Sequence, residues 1–449
     1  MNVKVLATSA SHFAVKRCLG PFWIRRKWLA KTQWYDEDRL RTLQLNRLRK
    51  LVRHCLATVP YYREAMNTKD SPPVAIASLE DIKSFPILSK SDILAAGDAL
   101  ISERYPHCAL KSARTGGSTG TPLIIKRNWA LIGNEHAFVR RQWDWAGISL
   151  SDRCAILMSR IVADTNRSDE KLHAYAPFMR ELLLSTHHLS PDTAPRYLEA
   201  LRDYRISAIV GYPSAIGFLA KMSRQLGCRV RLRAALTTSE VLTPATKEEI
   251  TAAFDCPVYD FCGSAERVYY IQTCEHGTYH LIPEYGYTEL IPVDSSEPDR
   301  CRVVATGFWN YAMPLIRYDT GDIVIKRHHP CPCGRKFQPI ESIDGREGDV
   351  IRTPSGRQLG VTLLIQILYV LCGTSNLLES QIVQDAADHL TIHFVPGRGF
   401  SGEELDEFAR RLSAYIPQEL KFDFLQVNSV QKTESGKVRP VISLVGDAK

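Results

Sequence analysis

Residues 113–120 combine three glycines with three hydroxyl side chains, a composition that suits the binding of an anion. Neither a helix nor a strand tolerates so many glycines, so the stretch predicts a loop. Glycines let backbone N–H groups turn toward phosphate oxygens, and Ser and Thr hydroxyls add neutral donors. No Gly-Lys-Ser/Thr follows, which excludes the P-loop signature. The composition alone leaves an ordinary surface loop open as the alternative.

Three further stretches combine a short apolar run with polar residues at or near its end. They lie at 208–214, 235–240 and 258–263. Each run reads as a buried strand, as does 154–157, and helix-length patterns at 193–204 and 214–226 lie between strands. Strands that alternate with helices indicate parallel βαβ units and an α/β fold. Because ligands bind at the carboxyl ends of such strands, we expect the polar residues to share one crevice.

The pattern changes twice farther along the chain. Residues 267–330 alternate in hydrophobicity, which indicates a β-rich region, and a smaller α+β unit begins after about residue 348. The 449 residues are 45% hydrophobic and 24% charged, an ordinary globular composition with room for two or three lobes.

Charge and cysteine content narrow the class of protein. The net charge of +8 is spread along the chain, which favours anionic small ligands and predicts no nucleic-acid partner. We find no secretory signal or transmembrane segment, and the twelve cysteines are scattered, so we expect a cytoplasmic protein. Residues 21–29 mix aromatic and cationic side chains, which fits either peripheral membrane contact by the N-terminus or a segment packed on the body.

Five motifs occur in a fixed order that resembles one enzyme superfamily. They lie at 113–122, 262–266, 317–322, 345–349 and 432–437. In this order they resemble the adenylate-forming superfamily of acyl-CoA synthetases, luciferases and adenylation domains. Further stretches point to the phenylacetate–CoA ligase branch and its capsule-biosynthesis relatives: 59–63, 85–90, 314–318 and 331–335. The likeness runs from about residue 51 to about residue 443.

The resemblance implies a domain plan and an activity. An N-terminal extension would cover residues 1–50, a large domain with α/β and β-rich subdomains 51–347, and a small mobile α+β lid 348–449. The implied activity is ATP- and Mg²⁺-dependent conversion of a small carboxylic acid to an acyl-adenylate, followed by transfer to an acceptor, CoA by default. An amide synthetase or nucleotidyl transferase of surface-polysaccharide biosynthesis that does not use CoA is the alternative. A non-catalytic binding module on the same fold is a third reading.

The resemblance also assigns roles to individual residues. Lys437 and Glu266 would be catalytic, Lys437 by reaching the α-phosphate and Glu266 by binding Mg²⁺. Nucleotide binding is assigned to ten residues: Thr115, Gly116, Gly117, Ser118, Thr119, Gly120, Ser239, Glu240, Asp322 and Arg346. Tyr212, Ser214 and Tyr259 would line the substrate pocket, and the lid would turn about Gly348 and Asp349.

This chain departs from the family pattern at three positions. Leu123 stands where related enzymes often have a lysine, and Cys262 stands where an aromatic residue usually stacks on adenine. Gly348 replaces one of two acidic hinge residues, although glycine allows free backbone rotation. These changes leave the adenine pocket and the hinge as open expectations.

Cysteine and histidine residues form a second candidate site. Cys274, His280, Cys331 and Cys333 correspond to residues that can form a structural zinc site in the phenylacetate–CoA ligase branch. Four N/S ligands suit tetrahedral Zn²⁺. The spacing leaves two alternatives open: His276 in place of His280, and plain free thiols.

Overall fold

The computed structural model describes most of the chain, namely residues 3–18, 21–66, 76–114, 123–158, 172–346, 350–355, 358–360, 376–413, 416–433 and 436–445. The predicted phosphate loop at 115–120 and the hinge at Gly348 and Asp349 lie outside these residues. The chain forms two compact units. The first unit comprises Met1–Leu6, Gly147–Asp260 and Asp344–Lys449, and the second comprises Ala7–Ala146 and Phe261–Ile343.

Helices in the described part of the chain are numbered in order. They are α1 (Val3–Phe13), α2 (Phe22–Thr32), α3 (Glu37–Thr58), α4 (Pro60–Met66), α5 (Lys90–Ala96), α6 (Trp129–Trp145), α7 (Ala194–Asp203), α8 (Pro213–Gln225), α9 (Pro244–Phe254) and α10 (Gly402–Ser413). Shorter helical turns lie at Ala14–Cys18, Glu80–Ser84, Gly97–Leu100, His107–Ala109 and Thr186–His188. Helix α3 crosses residue 50, where the sequence predicted the end of an N-terminal extension.

Strands are numbered in the same way. They are β1 (Lys111–Arg114), β2 (Ile124–Arg127), β3 (Cys154–Met158), β4 (His173–Ala176), β5 (Glu181–Ser185), β6 (Ala208–Gly211), β7 (Ala234–Thr238), β8 (Val258–Gly263), β9 (Tyr270–Thr273), β10 (Tyr279–Leu281), β11 (Gly286–Asp294), β12 (Glu297–Gly307), β13 (Tyr318–Lys326), β14 (Pro339–Arg346), β15 (Val350–Arg352), β16 (Gln358–Gly360), β17 (Leu377–Ala386), β18 (His389–Pro396), β19 (Lys421–Gln426) and β20 (Val441–Ser443).

The first unit contains the predicted βαβ region. Its strands lie in the order β4-β5-β3-β6-β7-β8, with β3 parallel to β5 and β6, and β6 parallel to β7. The core between strands and helices is fully buried and includes Leu157, Leu182, Ile209, Ile216 and Leu219. Gly211 ends β6, where a Cβ atom would lie 2.3 Å from the carbonyl oxygen of Leu157. Strands β6, β7 and β8 are neighbours, as predicted for the three polar strand ends.

The C-terminal part of the first unit has a sheet of its own, in the order β19-β18-β17-β20. Strands β17 and β18 are antiparallel, and the outer strands pair in parallel with them. Helix α10 packs through Phe408 and Leu412 on a core that contains Ile382, Leu390 and Ile392. This arrangement confirms the small α+β unit expected from the sequence.

The second unit is rich in antiparallel strands, in the order β11-β12-β13-β14-β10-β9. Strands β11 and β12 pair antiparallel within the predicted β-rich region, and β1 pairs with β2 on either side of the predicted phosphate loop. A buried ion pair, 2.9 Å between Arg141 and Glu284, ties helix α6 to the chain before β11, and Thr32 donates to the same carboxylate. No helix within the described ranges is both long and apolar enough to cross a membrane.

Candidate active site

In the first unit, four predicted site residues lie together at the ends of β6 and β7. Glu240 accepts hydrogen bonds from the backbone N–H of Ser214 at 3.1 Å and of Val438 at 2.8 Å. The neighbouring Lys437 places its ammonium group 5.9 Å from the centre of the Tyr212 ring. Glu240 therefore fixes the segment that carries Lys437 beside the start of helix α8.

The environment of Glu240 is unusual for a carboxylate. Burial raises its pKa above the ordinary value, while the N–H groups of Ser214 and Val438 and the charge of Lys437 oppose that rise. The preceding residue, Ser239, has a positive φ of 71°. Such backbone geometry costs about 1–3 kcal/mol in a residue other than glycine and clusters at functional sites.

The predicted substrate-pocket residues have different surroundings. Ser214 lines an open pocket of about 630 Å³ that also contacts Phe218 of α8 and Leu378 of β17. Tyr212 and Tyr259 are not among its lining residues, and both are buried. The structure therefore places Ser214 at an opening and the two tyrosines inside the protein.

In the second unit, Asp322 is held by a residue that sequence analysis did not select. The buried Tyr269 donates its hydroxyl proton to Asp322 Oδ2 at 2.7 Å. The Sγ atom of Cys262 lies 3.1 Å from the same hydroxyl, so the thiol is the donor in that contact. Burial and the charge of Asp322 raise the pKa of Tyr269 well above its usual value, which keeps the hydroxyl protonated. Cys262 thus takes part in a hydrogen-bond chain that orients Asp322.

Glu266 has a similar arrangement. Its Oε1 atom accepts a hydrogen bond from the hydroxyl of Tyr318 at 3.0 Å, and only 6% of the residue is exposed. The loop around it is fixed because Arg127 donates to the carbonyl oxygen of Ala265. The next residue, Arg267, has a φ of 63°, a second strained position beside a predicted site residue. A buried carboxylate held at one oxygen is suited to binding a hard cation.

Three of the branch-specific motifs meet in the second unit. Tyr62 donates to the carbonyl oxygen of Pro314 and accepts from the backbone N–H of Ile316. Arg317 pairs with both oxygens of Glu289 and donates to the carbonyl oxygen of Phe85 at 2.6 Å. These contacts stabilise the chain that leads into Tyr318 and Asp322.

The four predicted zinc ligands form one cluster. Their donor atoms all lie within 4.8 Å of one another, in Cys274, His280, Cys331 and Cys333. The Cys274–Cys331 Sγ separation and the separation of Cys333 Sγ from His280 Nε2 are both 3.6 Å. Zinc–sulfur bonds of about 2.3 Å in a tetrahedron require an edge of about 3.8 Å, so these two separations fit a zinc site.

The protonation states and surroundings of these residues also fit a metal. Burial lowers the pKa of His280 to about 4, so the imidazole is neutral and available as a ligand at neutral pH. Its Nδ1 atom faces the carbonyl oxygen of Phe337 at 3.4 Å, which leaves Nε2 directed at the cluster. Arg335, beside the cluster, pairs with Glu275 at 2.8 Å and joins the two loops that supply the cysteines. His280 rather than His276 is therefore the histidine of this group.

Several predicted residues have no side-chain description. Residues Thr115 to Gly120, Gly348 and Asp349 lie outside the described residues, and Arg346 is described only as the last residue of β14. Their assigned roles stay predictions.

Comparison with known proteins finds relatives of this chain. Residues 354–444 match the CapK C-terminal domain family. The chain is 21% identical over 408 residues to protein CapK of Staphylococcus aureus, covering 89% of this chain and 88% of that one. It is 24% identical over 333 residues to phenylacetate-coenzyme A ligase of Thermus thermophilus, covering 70% and 72%. The chain is therefore similar to these two proteins over most of its length.

A solved structure has the same fold as this chain. The 2-hydroxyisobutyryl-CoA ligase in the postadenylation state, in complex with R3-HIB-AMP, aligns with a TM-score of 0.72 at 20% identity. The alignment covers 92% of this chain and 91% of the ligase. The predicted α/β class with a small C-terminal α+β unit is thereby confirmed.

Proposed function

We propose that this protein activates a carboxylic acid with ATP and transfers the acyl group to coenzyme A. A carboxylate oxygen attacks the α-phosphorus of ATP, and pyrophosphate leaves to give an acyl-adenylate. The thiolate of CoA then attacks the acyl carbonyl carbon, and AMP leaves. Both steps bring anionic groups together, so the protein must supply positive charge and fixed geometry.

Lys437 supplies the positive charge in the first step. Its ammonium group faces the α-phosphate and the attacking carboxylate, and it stabilises the charge that develops between them. Glu240 holds the backbone next to Lys437, which keeps the ammonium near the ends of β6 and β7. The acid lies near Ser214, whose pocket is open.

Two carboxylates of the second unit serve the nucleotide. Asp322 accepts hydrogen bonds from the ribose hydroxyls, and Tyr269 keeps the carboxylate oriented for that contact. Glu266 would bind Mg²⁺, which would neutralise the phosphate oxygens of ATP. Tyr318 donates to Oε1 of Glu266 and so holds the carboxylate in a fixed orientation.

The zinc cluster has a structural task in this proposal. Cys274, His280, Cys331 and Cys333 would hold Zn²⁺, which would join two loops of the second unit. Without the metal, three thiols and a buried neutral imidazole would lie close together in one small volume.

The observation that carries the proposal is the grouping of residues far apart in sequence. Asp322 and Tyr269 meet across 53 positions, and Glu240 and Val438 across 198. Each group combines a predicted site residue with a partner that fixes it. The presence of Lys437, Asp322 and Glu266 together argues against a non-catalytic module.

A second candidate function is adenylate formation without CoA, in an amide synthetase or nucleotidyl transferase of surface-polysaccharide biosynthesis. The match to CapK favours it, because that match covers 89% of the chain and the phenylacetate–CoA ligase match covers 70%.

An ATP–pyrophosphate exchange screen over small carboxylic acids tests the proposal. We expect exchange that depends on one class of acid, followed by AMP release and a thioester product when CoA is added. Acid-dependent exchange with transfer to an amine and none to CoA would support the second candidate. No exchange with any acid, from folded protein, would contradict both.

A further inference from the structure

Helix α2 presents an exposed face that no part of the proposed activity uses. Trp23 is 53% exposed, Ile24 76% and Trp34, just after the helix, 57%. With 100° between successive residues, Trp23, Ile24, Lys27, Lys31 and Trp34 fall within an arc of about 100°. We call these five residues the α2 patch. It extends for about 16 Å along the helix direction.

The opposite face of α2 is fixed in the second unit. Phe22, Leu29 and Thr32 are fully buried. Arg25 donates to Asn134 of α6 at 2.9 Å and stacks 4.0 Å above the ring of Trp309. Helix α2 cannot rotate to bury Trp23 without breaking these contacts. The α2 patch therefore stays on the surface as long as these contacts hold.

The charges of the patch are all positive. Lys27 and Lys31 are exposed and, in the described part of the chain, neither ammonium has a carboxylate partner. The adjacent Arg26 is different, because both oxygens of Asp144 accept from it at 2.9–3.0 Å. Trp34 is partly covered by the guanidinium of Arg335, 4.9 Å from its ring. Cations thus flank the exposed rings.

We propose that the α2 patch binds the surface of an anionic lipid bilayer. Tryptophan is the side chain best suited to the interface between headgroups and acyl chains, because its ring is apolar with one polar edge. Ile24 enters the acyl boundary, and the two lysines contact phosphate groups above it. The binding is peripheral and reversible, since one face of a short helix enters only the interface.

Co-sedimentation of the full chain with vesicles tests this proposal. The vesicles contain phosphatidylcholine alone, or phosphatidylcholine with about 30% phosphatidylglycerol. We expect binding to the anionic vesicles and at least about tenfold weaker binding to the neutral ones. The Trp23→Ala/Ile24→Ala and Lys27→Glu/Lys31→Glu variants should each lose about tenfold in partition.

Trp129→Ala is the matched control, because Trp129 is 46% exposed on α6 and lies under Lys111. It should bind anionic vesicles like the unaltered protein. Circular dichroism and pyrophosphate exchange should be unchanged in every variant, since neither Trp129 nor any α2 patch residue is placed at the active site. Vesicle binding that survives both double variants would overturn the proposal. The proposal would also be overturned if the protein bound no vesicles and instead self-associated in a way that the Trp23→Ala/Ile24→Ala variant abolished.

Discussion

Two tyrosine hydroxyls orient the two buried carboxylates of the second unit. Tyr269 donates to Asp322 at 2.7 Å and Tyr318 donates to Glu266 at 3.0 Å. Each hydrogen bond uses one carboxylate oxygen and restricts the rotation of the group. The motifs identified Asp322 and Glu266, but not Tyr269, because its partner lies 53 residues away and only the folded strands bring them together.

Removing the hydroxyl of Tyr269 should weaken nucleotide binding. We expect Tyr269→Phe to raise the KM for ATP about tenfold, since a hydrogen bond to a charged group contributes roughly 1.5 kcal/mol or more. The turnover number should change less, because Lys437 is untouched. Pyrophosphate exchange at varied ATP concentration measures both, with Tyr105→Phe as the control. An unaltered KM would show that Tyr269 does not position Asp322.

The cysteine cluster makes a separate prediction about metal content. We expect about one zinc per chain by elemental analysis of the purified protein, and its loss in Cys333→Ser, because a structural site needs all four ligands. Cys108→Ser, at an exposed cysteine, should keep the metal. A strong chelator should lower the melting temperature of the unaltered protein. Protein purified without zinc would contradict the assignment.

At the scale of elements, alternation and apolar runs predicted the strands well. Helix α6 begins at Trp129 with Asn128 as its N-cap, and the side chain of Asn128 accepts from Leu131 N–H. The order of strands could not be read from the sequence. It depends on long-range pairing, such as β20 beside β17, which no local pattern encodes.

The edge of the C-terminal sheet contains a pH-sensitive contact. His389 lies between Asp385 at 2.7 Å and Asp423 at 3.0 Å, and joins the β17–β18 turn to β19. Hydrogen bonds to Asp385 and Asp423 raise the pKa of His389 above its ordinary value of 6.5. Because the pKa is raised in the folded state, the stabilisation is complete below about pH 6.5 and is lost as pH rises through the folded-state pKa.

Replacing His389 should therefore change the stability of the protein only at the acidic end of the pH range. We expect His389→Gln to lower the free energy of unfolding by up to about 1 kcal/mol near pH 6, since the group is largely solvated. Once the pH exceeds the folded-state pKa of His389, the two proteins should have the same stability. Thermal unfolding at a series of pH values measures the difference, with His393→Gln as the control. A difference that grows with pH would have the wrong sign.

For the whole molecule, the division into units is discontinuous in sequence. Residues 147–260 and 344–449 form one unit, and 7–146 and 261–343 the other. A sequence-based boundary at 347/348 describes where composition changes, but it contains no information about which distant segments pack together. The large domain, the lid and its rotation about Gly348 and Asp349 remain proposals that follow from the family.

The central claim is that Lys437 acts on the anions that react. Exchange of pyrophosphate into ATP, with the preferred acid, tests it most directly in Lys437→Ala. The matched control is Lys421→Ala, a lysine that is 80% exposed on β19. We predict that the exchange rate falls by on the order of 10²–10³ in Lys437→Ala, roughly 3–4 kcal/mol of transition-state stabilisation, and stays unchanged in the control. Equal exchange rates in the two variants would contradict the account.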